Sequence, residues 1–591
     1  MMARSSLLPF QHAKLGGFLQ APPNLGNVYT GDAFLARVLE RLLPPKTFAE
    51  VHEDLERLGH RVESEIDPLG MQCENNEPVL RQFDAWGRRV DELVTCPAWK
   101  RMKEITAEEG IISSGYSGKF GEFGRIFQFA KCLVFHASSG LYSCPIAMTD
   151  GAAKTLQELK LPQFDSVLKK LTSQDPAQFW TSGQWMTERG GGSDVGTGTE
   201  TVAIPKSDGT YTLHGYKWLS SATDADIALT LARIVDKGEK AQDGLSMFLL
   251  KTRREDGSLD PGIQMMKLKN KLGTRSLPTA ELLLDGVVAQ LVSDPGRGVA
   301  AISHMLTVTR LHNTTGSVAA MRRILLLARD YSMKRVAFGV PIAQHRLHVD
   351  TLAGMELTAR AATLLFFEVV RLFGLSEHGR VGNDDEENRQ LLRLLTPVVK
   401  LYTAKKCIPL ISEGLECFGG QGYIEETRLP VILRNAQVMT IWEGTTNVLS
   451  LDTLRAIAKS NGAAIAAFHA NMSRRLRQVV KPDLAPSIGR VQAELEDLVA
   501  ILPELEATEV MARARLVSFA IAEIAIGVLF IEHASSGVAQ GTDLAAAKRW
   551  ASQMTKWSLQ LKDAERFETD NSNQLVFEGY PGPDFSKTSK L

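Results

Sequence analysis

Tyr211-Thr212-Leu213-His214-Gly215-Tyr216-Lys217-Trp218-Leu219 alternates along its length, in a chain whose other long segments repeat at helical spacing. A two-residue period marks an extended strand, because successive side chains leave opposite faces of a pleated backbone. On either side lie further β-prone runs, Ile227 to Val235, Leu245 to Leu250 and Glu281 to Leu284, separated by turn signals such as Asp285-Gly286. The absence of intervening helical patterns argues against a parallel doubly wound sheet. Residues 181–295 therefore read as a small middle β domain.

Helical periodicity surrounds it. Residues 1–180 read as an N-terminal helical domain, with helical spacing from Asp32 to Leu58 and from Ile105 to Leu161, a loop over Asp67 to Pro78 and a break at Cys96-Pro97. Residues 296–460 read as an antiparallel bundle, carried by Val299 to Arg335, His345 to Leu375 and Asn388 to Gly414, with the acidic run Asn383 to Asn388 as a solvated connection. Residues 461–591 add a further C-terminal helical domain and a tail. The expected class is α+β, mostly α.

At 591 residues the chain exceeds one hydrophobic core, and 44% hydrophobic with 23% charged residues describes an ordinary globular composition. A net charge of -1 gives no global attraction to nucleic acid or anionic membranes. The six cysteines lack C-x-x-C spacing, so neither a zinc site nor a dithiol is expected; they read as reduced, mostly buried thiols. No metal site is expected. The most apolar helical segment, Leu516 to Ile531, contains Glu523 and reads as a packed helix, so no membrane span is expected. The N-terminus lacks the apolar core of a secretory signal; with only Arg4 and Lys14 positive before Asp32, it makes a weak mitochondrial presequence. Ser589-Lys590-Leu591 forms the S-K-L address of peroxisomal import, making the peroxisome the expected location and the cytoplasm or mitochondrion the alternatives.

Two constellations carry chemistry. Trp442-Glu443-Gly444-Thr445-Thr446-Asn447 places a carboxylate between an indole and a glycine just before a helical run. A carboxylate beside an indole and short of water suits a base that lifts a weakly acidic proton. The alternative is a capped helix entrance, with Thr445 and Asn447 as caps. The second is Met186-Thr187-Glu188-Arg189-Gly190-Gly191-Gly192-Ser193-Asp194-Val195, where glycines let backbone approach an anion and Thr187 and Ser193 offer hydroxyls. β-prone segments follow it, so it is no dinucleotide fingerprint.

Together with the order of domains, these stretches resemble the FAD-dependent acyl-CoA dehydrogenases. Met186 to Ser193 is similar to that family's flavin loop, Lys217-Trp218-Leu219-Ser220-Ser221 to its K-x-W-I-T/S motif, and Leu272-Gly273-Thr274-Arg275-Ser276 to its L/M-G-x-R-x-S turn. Arg335-Val336-Ala337-Phe338-Gly339, Phe418-Gly419-Gly420-Gln421-Gly422-Tyr423, Arg434-Asn435-Ala436 and Trp442 to Asn447 resemble the family's later motifs in the same order. Pro23 to Tyr29, Phe83 to Arg89 and Cys144 to Thr149, with the longer N-terminal and extra C-terminal units, resemble the branch of the bacterial alkylation-response flavoprotein AidB and its animal relatives, nematode members above all.

The resemblance implies that Glu443 is the α-proton base. It implies FAD contacts at Gln184, Met186, Thr187, Ser193, Trp218, Leu219, Ser220, Gly419, Gly420, Thr445 and Asn447, and FAD contacts across a subunit interface at Arg335 and Phe338. Ser193, Arg310 and Gly444 fall on acyl-CoA-binding positions. Two departures stand out: His345-Arg346 replaces the usual His-Gln pair, and Thr307 stands where an Asp often precedes the substrate-binding arginine.

The implied reaction is α,β-dehydrogenation of a medium- to long-chain fatty acyl-CoA to the trans-2-enoyl-CoA in fatty acid oxidation, by a homotetramer that passes electrons to an electron-transfer flavoprotein or to oxygen. The alternatives are a peroxisomal acyl-CoA oxidase, an acyl-CoA-sequestering protein, and an AidB-like nucleic-acid-binding protective flavoprotein. Against the last, residues 465–591 hold 14 basic and 16 acidic side chains, so nucleic acid is an unfavoured partner.

Overall fold

A computed structural model describes residues 20–236, 240–379, 383–563, 569–580 and 582. The opening strand forms as its alternation requires and spans Tyr211–Ser221. It pairs antiparallel with Val202–Pro205 on one side and Thr279–Leu291 on the other. Ser246–Lys251 then joins Thr279–Leu291 to Ile227–Asp236, which returns to Val202–Pro205 and closes a ring. Leu213, Ala228, Phe248, Leu250, Leu282, Leu284 and Val287 fill its interior.

Asp285-Gly286, expected to end a strand, instead lies inside one. Thr279–Leu291 runs through it with a shifted register between Asp285 and Val287, and Gly286 has a φ of 85°. The local signal was for a left-handed residue, which a β-bulge needs as much as a turn does, and the bulge bends the strand so that the ring can close.

Three long helices, Gly298–Lys334, Arg346–Glu377 and Asn383–Glu416, form the bundle. The acidic stretch expected as a connection instead opens the third helix, where carboxylates such as Asp385 and Glu386 suit the positive end of the helix dipole. Ala463–Gln478, Ala485–Ile501, Ala514–Ser535 and Gly541–Gln553 build the C-terminal unit. Ala514–Ser535 is long and apolar enough to cross a membrane, but 83% of its most apolar window is buried inside the protein. It shares one core with the bundle and the N-terminal helices. Arg475 ties that unit down by bonding Glu368 of the bundle at 2.8 Å and Glu532 at 2.5 Å.

The N-terminal unit departs from expectation over residues 67–94. Asp67–Asn75 is helical, and Val79–Phe83 pairs with Arg89–Val94 in a hairpin within a region expected to be mostly helical. The two strands are too rich in charged and exposed positions to announce themselves by alternation. Gln82 and Arg89 donate to the Met265 carbonyl at 2.9 and 3.0 Å, docking the hairpin on strand Ile263–Leu268.

Candidate active site

Glu443 lies in the loop between a short 3-10 turn, Val438–Thr440, and helix Thr446–Lys459. Its φ is 57° and that of Gly444 is 103°, so two successive residues are left-handed. A non-glycine residue held there costs on the order of 1 kcal/mol and persists only where the surroundings fix it. Gly444 is doubly required, because a Cβ would come within 2.9 Å of Leu449.

Contacts from two helices hold the loop. Thr309 of Gly298–Lys334 donates its hydroxyl to Glu443 Oε2 at 2.5 Å. Lys400 of Asn383–Glu416, fully buried, donates from Nζ to the Gly444 carbonyl at 2.5 Å. Burial pushes the Lys400 ammonium down to about 7, with Arg310 acting in the same direction and Glu443 opposing. Cys144 is also near: burial pushes its thiol up to about 12, Glu443 adds to the rise, and Lys271 opposes it. Thr445 occupies the N-cap of the following helix, yet its hydroxyl makes no capping bond, and both Thr445 and Asn447 are exposed. The capping role expected of Thr445 is therefore not realised.

Arg310, one residue beyond Thr309, pairs with Asp452 at 2.8 Å, and Arg393 meets the same carboxylate at 2.6 Å. The acid facing Arg310 thus comes from helix Thr446–Lys459; Thr307 bonds back to the Ser303 carbonyl of its own helix. Arg310 Nε is buried without a partner.

On the β domain, the glycine-rich loop is clamped to the opening strand. Lys217, fully buried, reaches Glu188 at 2.6 Å and the Leu231 carbonyl at 3.0 Å. Burial lowers the Lys217 ammonium, and Glu188 opposes that shift. Glu188 also accepts the Glu200 N–H at 2.7 Å, and Trp218 N–H donates to the Thr187 carbonyl at 2.9 Å. Gly191 and Gly198 serve the loop's own packing, since a Cβ on Gly198 would lie 2.4 Å from the Gly190 carbonyl oxygen. Met186 is buried, Ser193 is exposed, and Leu219 is half exposed. Lys269 Nζ sits 3.2 Å from the centre of the Trp218 ring. Gln184 Oε1 and Ser220 Oγ are buried without partners.

Arg335, Gly419 and Gly420 line a separate cleft of about 1100 Å³ with Phe418 and Arg428. Phe338 stands beside it at the tip of the hairpin Val336–Ala337 and Val340–Pro341, where Phe338 and Gly339 are both left-handed. Phe338 is 97% exposed. A cavity of about 470 Å³ shares Asp67, Met71, Arg323 and Arg428 with that cleft and reaches inward to His136, Gly316 and Met439. His345 bonds the Ala337 carbonyl at 3.1 Å, whereas the Arg346 side chain is 95% exposed.

The structure thus gathers Glu443, Gly444 and Arg310 with Thr309 and Lys400, and places Gln184, Met186, Thr187, Trp218 and Ser220 on strands and a loop of the β domain. Arg335, Phe338, Gly419 and Gly420 stand apart. Sequence reasoning missed Glu188, Thr309 and Lys400. Glu188 was visible as an acid inside a flavin-like loop, but its partner lies 29 residues away; nothing local marks Thr309 or Lys400.

An N-terminal helical domain, a β barrel and a helical bundle, in that order and followed by a further helical unit, define the class of fold. The chain belongs to the acyl-CoA dehydrogenase family. Residues 20–176 match the Adaptive response protein AidB N-terminal domain, 183–287 the Acyl-CoA dehydrogenase middle domain, 296–458 the Acyl-CoA dehydrogenase C-terminal domain, and 463–577 the Acyl-CoA dehydrogenase 11 C-terminal domain-like family. Acyl-CoA dehydrogenase family member 11 of Caenorhabditis elegans is 47% identical over 597 aligned residues, covering 98% of this chain and 96% of its own. Putative acyl-CoA dehydrogenase AidB of Escherichia coli is 31% identical over 452 residues, covering 75% of this chain and 80% of its own. The crystal structure of C. elegans ACDH-11 in complex with C11-CoA superposes with a TM-score of 0.92 at 46% identity, covering 98% of this chain and all of that one.

FAD is the cofactor of this family, and the residues present fit it. The unpaired Gln184 and Ser220 oxygens are polar groups in search of a ligand, which a flavin's heteroatom edge can satisfy.

Proposed function

We propose that this protein catalyses α,β-dehydrogenation of a medium- to long-chain fatty acyl-CoA to its trans-2-enoyl-CoA in fatty acid oxidation, with Glu443 as the base. The observation that carries this reading is the Glu443 carboxylate, held by Thr309 in a left-handed loop, in a chain whose β domain carries two unpaired buried oxygens at Gln184 and Ser220. The C11-CoA bound by the C. elegans relative supports a chain of that length.

Glu443 Oε takes the α-proton of the thioester. FAD, when bound, supplies the acceptor for the β-hydrogen and its electron pair. The Glu443 backbone N–H is the donor we assign to the thioester oxygen, where negative charge grows as the α-proton leaves. Arg310, oriented by Asp452, and Ser193 hold the CoA portion, with the Gly444 backbone alongside. Met186, Thr187, Trp218, Leu219 and Ser220 position the flavin, and Thr445 and Asn447 face it from the bundle.

Arg335, Phe338, Gly419 and Gly420 are assigned to FAD bound mainly by a second copy, in a homotetramer. The exposed Phe338 ring and the large cleft beside it support that assembly. Electrons then leave to an electron-transfer flavoprotein or to oxygen. Ser589-Lys590-Leu591 lies outside the described residues; we assign it to peroxisomal import, testable by deleting it from a fluorescent fusion.

The deciding experiment is anaerobic mixing of FAD-loaded protein with acyl-CoA. Wild type is expected to bleach, and Glu443→Gln to retain FAD while bleaching at least about 10³-fold more slowly. Bleaching of the variant at the wild-type rate would remove Glu443 from the reaction.

A further inference from the structure

Lys400 is fully buried midway along helix Asn383–Glu416, with its Nζ 2.5 Å from the Gly444 carbonyl. An ammonium withdrawn from water is costly unless fixed acceptors or an opposite charge compensate. The carbonyl it holds belongs to the residue after Glu443, in a turn that the backbone does not favour by itself. Thr309 restrains the Glu443 carboxylate from one helix while Lys400 restrains the next carbonyl from another.

The charges acting on Lys400 are Glu443 from the loop and Arg310 from Gly298–Lys334. Arg310 is met by Asp452 of helix Thr446–Lys459, which also takes Arg393. Elsewhere on the Lys400 helix, Glu387 is engaged by Arg474 of helix Ala463–Gln478 and Lys406 by Glu523 of helix Ala514–Ser535. Glu443 is therefore the carboxylate that favours the Lys400 ammonium.

We propose that Lys400 is a positioning residue for the base: as an ammonium it pins the Gly444 carbonyl and lends its positive charge to the Glu443 carboxylate. The base is then aimed while Lys400 carries its charge. This inference rests on the dehydrogenation reading of Glu443. Burial brings Lys400 down to about 7, so its charge is lost as pH rises through neutrality.

The test uses the FAD-loaded full chain and two variants, Lys400→Met, which removes donor and charge, and Lys400→Gln, which keeps a donor without the charge. Lys400→Met is expected to slow bleaching by acyl-CoA by about 10- to 100-fold, less than loss of the general base itself, with FAD content and acyl-CoA affinity within about 3-fold of wild type. The wild-type rate is expected to fall as pH rises past neutrality, and that alkaline limb to vanish in both variants. A crystal structure of Lys400→Met is expected to show the Gly444 carbonyl turned away and the Thr309 to Glu443 bond broken. An unchanged turn and unchanged pH profile would overturn the proposal, whatever the rate. If wild type is not bleached by any acyl-CoA, the dehydrogenation reading fails, while the structure of the turn still decides the role of Lys400.

Discussion

The Thr309 hydroxyl and Glu443 Oε2, separated by 134 positions in the chain, are 2.5 Å apart. The bond fixes one of the two carboxylate oxygens. In the proposed reaction, a carboxylate restrained in this way is aimed before substrate arrives, which lowers the entropy lost in reaching the transition state.

Thr309→Val keeps the shape of the side chain and deletes that bond. The bleaching rate with acyl-CoA should fall about 10-fold, a loss comparable to one hydrogen bond to a charged group, with FAD content unchanged. Rapid mixing against wild type measures it; an equal rate would show that the base is aimed without Thr309.

The buried Lys217–Glu188 pair makes a different prediction. Lys217→Met leaves Glu188 charged in the barrel wall and should cost about 3–5 kcal/mol. The same change loosens the glycine-rich loop proposed to position the flavin, so FAD should be lost more readily on dilution. Adding Glu188→Leu removes the stranded charge and should recover most of the stability in thermal melts. A double variant as unstable as the single one would contradict the pairing.

Arg335→Ala and Phe338→Ala should weaken FAD retention and assembly together, because both groups are assigned to a neighbour's cofactor. Sedimentation and flavin absorbance on one sample decide this. A monomer carrying full FAD would reject the shared site.

Glu356 gives an acid-stability prediction. Burial by itself raises its carboxyl, but Arg322 and Arg360 outweigh burial and hold it down to about 2. A carboxyl lower in the folded than in the unfolded state stabilises the fold above about pH 4.5; roughly 3 kcal/mol of stability is lost as pH falls through the interval down to the folded value. Glu356→Gln should therefore melt lower at pH 7, yet lose less between pH 7 and pH 3 than wild type does. Equal losses in the two proteins would exclude Glu356 from acid unfolding.

Legibility followed the range of the physics involved. Strand Tyr211–Ser221 and the three long bundle helices were readable because hydrophobic period is local. The hairpin over residues 79–94 was not, because its stability comes from bonds to Met265, far along the chain. Asp285-Gly286 announced a left-handed residue correctly, but whether that residue turns a chain back or bulges a strand depends on the partner strand.

By itself the sequence determined the domain order, the helical and extended segments, and the motif that carries Glu443, since these depend on side-chain period and composition within short windows. Tertiary structure alone decided what holds that carboxylate. The left-handed turn at Glu443 and Gly444 is secured by Thr309 and Lys400 from two different helices, and Arg310 receives its acid from a third. Hydrogen bonds and buried charges act over a few ångströms in space whatever the separation in sequence, so these partners exist only once the helices have packed.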